Sequence, residues 1–270
     1  MSKITTDKIS IKKKQKIFSR FLNRIVNFDL IIPNPINLNA KYPVIYMNDG
    51  QDFDQLDLEK IERGFYENYT SPHIFVAIHC NNERILEYGT SFVADYKKRG
   101  IKATDYMNFV VKELMPFIQL TYSGSNLATD NTICGFSLGG LSAFDIAFEN
   151  SNLFSKIGVF SGSFWWRDKS YEEGFDEDAD RIMHKKIKNF GKNTGQQFWL
   201  ECGTLDETAD RNNNGIIDAI DDTLDLMTEL EQKGYDKNKD IVYREVEHGE
   251  HNQNTWKKVL PEFLVWAFGK

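Results

Sequence analysis

Hydrophobic positions along the chain alternate between short apolar runs and longer segments in which apolar residues recur every three or four positions. A short apolar run bounded by polar residues is typical of a buried β-strand. The predicted strands are Tyr42–Met47, His73–Ile78, Asn131–Cys134, Ser155–Phe160, Gln197–Cys202 and Asp240–Val246. The stretch 18–32, which mixes apolar and polar residues ahead of Pro33, predicts two further strands near the N-terminus.

The longer segments have the spacing of amphipathic helices. Apolar residues between Thr104 and Tyr122 fall on one helical face, and Pro116 is expected to bend or end this helix. The other predicted helices are Leu138–Phe148, Asp221–Gln232 and Asn254–Phe268. Strands that alternate with helices predict an α/β fold with a mostly parallel central sheet, antiparallel N-terminal strands and helices on both faces.

The 270 residues fit a single domain, because neither a linker nor an internal repeat divides them. Within residues 1–270, we expect 1–15 to be disordered or peripheral. Residues 164–192 are predicted to form a cap-like insertion, and residues 210–221 an insertion that binds calcium. Ligands of such sheets bind beyond the carboxyl ends of the strands, so these ends are where catalytic residues are expected.

Composition and charge exclude several classes of protein. The chain carries 33 basic and 40 acidic residues, a formal net charge of −7, which disfavours binding to nucleic acid. Since no apolar run approaches the ~20 residues of a membrane span, no membrane association is expected. The N-terminus lacks the apolar core of a secretory signal, which predicts a cytoplasmic protein unless an export signal was removed. Cys80, Cys134 and Cys202 follow strand-like runs and are interpreted as buried free thiols.

The segment Gly135-Phe136-Ser137-Leu138-Gly139 lies between a predicted strand and a predicted helix. This is the context of a nucleophile elbow, in which a strained turn exposes a serine hydroxyl and flanking glycines make room for it. The alternative is a glycine-rich turn with an incidental serine. A serine nucleophile needs a histidine base and a carboxylate that orients it, so the hypothesis requires both partners elsewhere in the chain.

Two of the five histidines are candidates for the base. His73 and His79 precede Ser137, whereas elbow enzymes place the triad in the order serine, acid, histidine, so both are interpreted as structural. His184 lies in a charged helical stretch and is expected to be solvated. The remaining His248 and His251 follow the last strand, where the base is needed.

The acid is predicted from the end of the preceding strand. The strand Gln197–Cys202 leads into Asp206, which is placed to meet the histidine loop. Glu207 and Asp168 are weaker candidates, and the alternative is that Asp206 is one solvated loop carboxylate among many.

With these motifs, the sequence resembles the esterase family of α/β-hydrolases that contains enterochelin-esterase-like, feruloyl-esterase-like and esterase D-like proteins. The matching segments are Val44–Gln51, Arg84–Tyr88, Gly135–Gly140, Ser161–Trp165 and Gly203–Asp206. In the family's base segment a histidine precedes a tryptophan by five residues, as His251 precedes Trp256, which favours His251 over His248. The resemblance implies an oxyanion hole made by the backbone N–H groups of Leu138 and Gln51. Asn48 stands where the family often has histidine.

A second motif lies between Asp206 and the following helix. The segment 210–221 has the spacing of an acidic calcium loop, with predicted side-chain ligands at alternate positions and Gly215 at the sharp turn. The predicted calcium ligands are Asp210, Asn212, Asn214, Ile216, Asp218 and Asp221. Asp221 replaces the usual glutamate, as in dockerin loops, but dockerins carry such loops in pairs. The alternative is an asparagine-rich turn that caps the next helix.

The segment after the sixth strand combines aromatic and acidic residues. Phe164, Trp165 and Trp166 are predicted to form an aromatic wall that binds a sugar or aryl group, the alternative being a surface insertion packed on the sheet. The predicted function is a serine carboxylesterase that acts through an acyl-enzyme on a small-molecule ester, with structural calcium and without an organic cofactor. The alternatives are an acyltransferase of the same fold and a catalytically silent, calcium-stabilised binding protein.

Overall fold

The structure, a computed structural model, describes residues 7–66, 68–189 and 194–270. Its centre is a mixed sheet in the order β1-β2-β4-β3-β5-β6-β7-β8. The strands are β1 (Ile9–Ser19), β2 (Arg24–Pro33), β3 (Val44–Met47), β4 (Ile74–Ile78), β5 (Asn131–Phe136), β6 (Lys156–Phe160), β7 (Gln197–Leu205) and β8 (Ile241–Glu250). The pairs β1–β2 and β2–β4 are antiparallel, and β4, β3, β5, β6, β7 and β8 run parallel. The predicted fold class is therefore confirmed.

Helices cover both faces of this sheet. They are α1 (Leu58–Phe65), α2 (Arg84–Glu87), α3 (Ala103–Phe109), α4 (Met115–Tyr122), α5 (Leu138–Glu149), α6 (Glu177–Asp180), α7 (Ile182–Asn189), α8 (Asp218–Gln232) and α9 (Gln253–Phe268). Successive residues of a strand point to opposite faces, so Val44 and Tyr46 belong to the core layer that contains residues of α3, α4, α5, α7 and α8, whereas Ile45 and Met47 belong to the layer that contains residues of α1 and α9. Among the described residues, no helix has the length and apolar character needed to cross a bilayer.

Three local features bear on the sequence-based expectations. Pro116 neither ends nor breaks its helix, because a π-helical segment, Val110–Leu114, joins α3 to α4 and places the proline in the first turn of α4. Strand β1 begins at Ile9, so residues 9–15 belong to an edge strand, while residues 1–6 lie outside the described part. His184 is buried rather than solvated, and its Nε2 contacts the carbonyl oxygen of Asp222 at 2.9 Å.

The three cysteines are free thiols, as predicted. Cys134 and Cys202 are buried, and Cys80 is half-buried. The segments that follow β3, β5, β6, β7 and β8 all leave the sheet at the carboxyl ends of parallel strands. These ends lie at one edge of the sheet, and the candidate catalytic residues follow them.

Candidate active site

Ser137 occupies a strained turn between β5 and α5. Its backbone has φ 54° and ψ −124°, a region that L-residues rarely adopt, and this conformation turns the chain sharply into the helix. The flanking glycines are required by contact, because a Cβ atom on Gly135 would lie 2.3 Å from the carbonyl oxygen of Gly139. A Cβ atom on Gly139 would lie 2.4 Å from Asp49 Oδ2. The turn therefore has the geometry of a nucleophile elbow.

His251 lies between β8 and α9 and lines the same cavities as Ser137. The imidazole packs edge-on against the Trp256 ring, with centroids 5.3 Å apart, and Trp256 Nε1 donates a hydrogen bond to Ser161 Oγ at 2.9 Å. The indole thus supports the imidazole from the core. Since 39% of the His251 side chain is exposed, solvent reaches the imidazole. His248 points away, with its exposed ring 3.7 Å from Glu247.

Asp206 follows β7 and is the acidic side chain nearest to His251. Asp206 Oδ2 lies 3.9 Å from His251 Nδ1, and the Asp206 side chain is fully buried. Neither carboxylate oxygen of Asp206 has a hydrogen-bond partner within the described residues. A buried carboxylate without partners is costly, and the protonated imidazole is the group that can relieve this cost. A shift of about 1 Å would convert the 3.9 Å contact into a hydrogen bond.

A second buried carboxyl group, which the sequence analysis missed, lies close to Asp206. Glu201 is in β7, is 1% exposed, and has no hydrogen-bond partner for either carboxyl oxygen in the described part of the chain. Burial, reinforced by the negative charge of Asp206, raises the pKa of Glu201 to about 8. Glu201 is therefore mostly protonated at neutral pH, which leaves Asp206 as the anion that faces His251. The feature of the sequence that could have indicated this group is an acidic residue within a predicted apolar strand.

The backbone N–H groups predicted to form the oxyanion hole belong to the first residue of α5 and to the turn after β3. Within the described residues, neither the N–H of Leu138 nor that of Gln51 donates to a protein acceptor. The Gln51 side chain is held at both ends, since Nε2 donates to Asp49 Oδ1 at 3.2 Å and Oε1 accepts from Cys80 N at 3.1 Å. Both N–H groups are thus available to a ligand.

The turn after β3 is tied directly to the elbow helix. Asn48 Nδ2 donates to the carbonyl oxygen of Gly139 at 2.8 Å, and Tyr106 Oη donates to Asn48 Oδ1 at 2.6 Å. The N–H of Asp49 donates to Tyr88 Oη at 3.1 Å. Asn48 therefore bridges the segment that carries Gln51 and the segment that carries Leu138, and both of its polar groups are satisfied.

Arg84 completes the support of this turn through a bidentate ion pair. Its Nε and Nη2 atoms each lie 2.7 Å from a carboxylate oxygen of Asp49. Glu87 forms a separate bidentate pair with Arg24, at 2.7 and 2.5 Å. These two ion pairs fix α2 against the sheet and against the turn after β3.

Two cavities, of about 250 and 240 Å³, share Ser137 and His251. The first is lined in addition by Asp49, Gln51, Asp52, Arg84, Phe136, Gln253 and Trp256. The second is lined in addition by Ser161, Gly162, Ser163, Trp165, Asp206, Glu207 and Ala219. Ser163 Oγ lies 3.4 Å from Ser137 Oγ, so this second hydroxyl, which the sequence analysis also missed, borders the nucleophile. Room for a small ligand therefore exists on both sides of Ser137.

Of the three described residues predicted to form an aromatic wall, Trp165 alone lines a cavity beside Ser137. Trp165 lines the second cavity, but Phe164 and Trp166 are fully buried in the core, where Phe164 packs edge-on against Phe144 with centroids 5.6 Å apart. The prediction that Phe164 and Trp166 contact the ligand is corrected, because Phe164 packs against α5 and the buried Trp166 ring lies beside Gly89 and Gly100. Asp168 is also remote from the site, since it pairs with Lys185 at 3.2 Å beside a separate cavity of about 330 Å³.

In the predicted calcium loop, side-chain oxygens form hydrogen bonds with backbone N–H groups of the same loop. Asp210, Asn212 and Asn214 accept hydrogen bonds from backbone N–H groups of the loop, at 2.8–3.1 Å. The amides of Asn212 and Asn214 also donate to Asp221 Oδ2, at 3.0 and 2.8 Å. Asp218 instead accepts from the N–H of Arg211 at 2.9 Å. Within the described chain, no group of three or more His, Cys, Asp or Glu side chains has the arrangement of a metal site.

The strand order and the strand-turn-helix geometry at Ser137 define the α/β-hydrolase class. Residues 19–267 match the model of the family described as "Putative esterase", so the chain belongs to that family. Membership of this family supports an esterase activity, and the resemblance inferred from the sequence is confirmed.

This chain is similar to bacterial proteins along most of its length. Two proteins of Bacillus subtilis (strain 168), the uncharacterized proteins YbbA and YjcH, are 23% and 24% identical over 252 and 259 residues. The alignments cover 90% and 93% of this chain and 92% and 95% of those proteins.

Solved structures share the fold. The enterobactin esterase FES from Shigella flexneri superposes with a TM-score of 0.74 at 19% identity, over 97% of this chain and 59% of that longer chain. A ferulic acid esterase gives a TM-score of 0.73 at 16% identity, over 97% and 98% of the two chains. The BES protein from Bacillus cereus gives 0.71 at 22% identity, over 100% and 99%.

Proposed function

We propose that this protein is a serine carboxylesterase that hydrolyses a small-molecule ester through an acyl-enzyme on Ser137. The observation that carries the proposal is the position of Ser137 in a strained elbow, in cavities that it shares with His251, while Asp206 lies buried beside the imidazole. These are the three groups that nucleophilic attack by a serine hydroxyl requires.

In the proposed mechanism, Ser137 Oγ attacks the ester carbonyl carbon while His251 removes the hydroxyl proton. The negative oxygen of the tetrahedral intermediate accepts hydrogen bonds from the N–H groups of Leu138 and Gln51. When the intermediate collapses, the bond to the alcohol oxygen breaks and His251 returns the proton to the leaving alkoxide. A water molecule then gives a proton to His251 and attacks the acyl carbon. The bond between this carbon and Ser137 Oγ breaks, His251 returns the proton to Oγ, and the acid leaves.

Asp206 and Glu201 have different roles in this proposal. Asp206 holds the His251 imidazole in one tautomer and stabilises its protonated form, which lasts only while the intermediate exists. Glu201, kept neutral by burial, does not compete with the imidazole for the proton at neutral pH. Trp165 offers one aromatic surface to the bound ester, which favours an aryl or sugar ester as substrate.

A panel of neutral aryl, acetyl-sugar and short-chain alkyl esters tests the proposal. We expect hydrolysis of at least one class and a loss of at least a thousandfold in kcat for Ser137→Ala, as typical of serine hydrolases. Ser151→Ala, in the turn after α5, is the matched control and should keep full activity. Hydrolysis that persists in Ser137→Ala would refute the assigned nucleophile.

We further propose that the loop 210–221 binds calcium through Asp210, Asn212, Asn214, the carbonyl of Ile216 and Asp221. Support comes from the side-chain oxygens at loop positions 1, 3 and 5, which accept hydrogen bonds from backbone N–H groups of the same loop, and from Asp221, whose Oδ2 accepts from both asparagine amides. Oxygen donors of this kind suit a hard divalent cation. Because Asp218 is engaged by Arg211, it is the predicted ligand with the weakest support. A bound ion would stiffen the segment between Asp206 and α8.

A further inference from the structure

The two cavities beside Ser137 are lined by more carboxylates than permanent cations, which is not the charge expected of a site for a neutral ester. Among the described residues that line them, Arg84 is the one permanent cation, and its Nε and Nη2 atoms are each paired with a carboxylate oxygen of Asp49 at 2.7 Å. Asp49 is buried, so this pair is a closed unit that contributes little net charge to the first cavity.

One carboxylate in each cavity has no cationic partner. Asp52 lines the first cavity and accepts a hydrogen bond from Gln253 Nε2 at 2.9 Å, and Glu207 lines the second. Within the described chain, neither Asp52 nor Glu207 forms an ion pair with a lysine or arginine. Desolvation is the largest cause that raises the pKa of both groups, which indicates that water screens them only partly.

The second cavity combines this charge with an aromatic surface. Trp165 and Glu207 line it together, and the buried anion Asp206 adds further negative potential. The nearest cation to Trp165 is Arg99, 5.1 Å from the ring centroid, and Arg99 is paired with the buried Asp95. An aromatic ring beside unpaired carboxylates is the environment that recognises an ammonium group.

We propose that this site selects esters that carry a positively charged ammonium group near the ester bond and discriminates against anionic esters, with Asp52 and Glu207 as the residues that determine this preference. The inference rests on the proposed esterase function and deepens it. A partly desolvated carboxylate within several ångströms of a ligand charge attracts a cation and repels an anion strongly enough to change kcat/KM by several-fold.

Three acetate esters of similar size test the preference: acetylcholine, its uncharged carbon analogue 3,3-dimethylbutyl acetate, and 3-acetoxypropionate. Hydrolysis is followed by pH-stat at low ionic strength. We expect kcat/KM to fall in the order cation, neutral, anion, with at least a tenfold ratio between the first and the last. Because exposed charges are screened by salt, 0.5 M NaCl should compress this ratio.

Variants assign the preference to the two carboxylates. Asp52→Asn and Glu207→Gln should each lower the ratio of kcat/KM for cation and anion by about threefold or more. Asp54→Asn is the matched control, since Asp54 is 88% exposed and bound to Lys13, and it should leave the ratio unchanged.

The outcomes separate this inference from the proposed function. Equal or reversed kcat/KM for the three esters, with hydrolysis that depends on Ser137, would overturn the charge preference and leave the esterase intact. A preference that survives in the Asp52→Asn, Glu207→Gln double variant would overturn the role of these residues. Failure to hydrolyse any ester would overturn both.

Discussion

Replacement of Asn48 should damage catalysis more than it damages binding. Its side-chain amide bridges the turn that carries Gln51 and the first turn of α5, with hydrogen bonds of 2.8 Å to the Gly139 carbonyl and 2.6 Å from Tyr106. The two proposed oxyanion-hole N–H groups are therefore held at a fixed separation by one buried residue. Loss of one oxyanion-hole donor typically lowers kcat by 10²–10³, so a displaced donor should lower it by about 10–100-fold.

The same bridge contributes to stability. In Asn48→Ala, the buried Tyr106 hydroxyl loses its acceptor, whereas the Gly139 carbonyl lies in the first turn of α5 and keeps its intrahelical partner. One unsatisfied buried group costs about 1–3 kcal/mol, so the free energy of unfolding should fall by about this amount. Asn48→Asp keeps the shape and the acceptor for Tyr106 but faces Gly139 with a carboxylate, so it provides a second variant if the alanine variant does not fold.

The assay combines urea unfolding with kcat and KM for a neutral ester. A large fall in kcat with KM changed less than threefold is expected, because the bridge acts on the transition state rather than on the bound ester. Asn39→Ala, on an exposed turn, is the control and should match the natural protein in both assays. A folded Asn48→Asp variant with unchanged kcat would refute the reasoning.

Two further predictions concern pH and calcium. The Glu201 carboxyl has a pKa of about 8 in the folded chain, against an ordinary value of 4.5. Between these two pH values the folded protein holds a proton that the unfolded chain has released. The free energy of unfolding therefore falls as the pH rises through this range. Glu201→Gln should remove this cost, so its Tm should exceed that of the natural protein by more at pH 9 than at pH 5, and parallel Tm curves would contradict the prediction. Chelation of calcium should lower the Tm and the esterase activity of the natural protein. The Asp210→Ala variant should have a low Tm that no longer responds to the chelator. If the chelator changes neither the Tm nor the activity of the natural protein, the calcium proposal is contradicted.

Local patterns in the sequence predict the sheet and the elbow well, for identifiable physical reasons. The strand and helix periods follow from burial on one or both faces, and the glycines around Ser137 report a close approach of backbone atoms that a Cβ would prevent. The choice of His251 over His248 came from the resemblance to the esterase family, in whose base segment a histidine precedes a tryptophan by five residues, and the contact between the His251 and Trp256 rings explains why that spacing matters.

Features that depend on tertiary packing could not be predicted from local sequence patterns. Phe164 and Trp166 turn into the core while Trp165 faces the cavity, and this segment has no helical or strand period that could distinguish them. His184 looks solvated in a charged stretch, but its helix buries that face. The bridge made by Asn48 joins residues 91 positions apart, a pairing that local patterns do not contain.

Covalent labelling of Ser137 by a fluorophosphonate tests the central claim most directly. Intact-mass measurement of the folded protein should show a single adduct, and peptide mapping should place it on Ser137. Ser137→Ala should not react, His251→Ala should react far more slowly, and Ser151→Ala should react as the natural protein does. A folded natural protein that stays unmodified, or an adduct on another residue, would contradict the account.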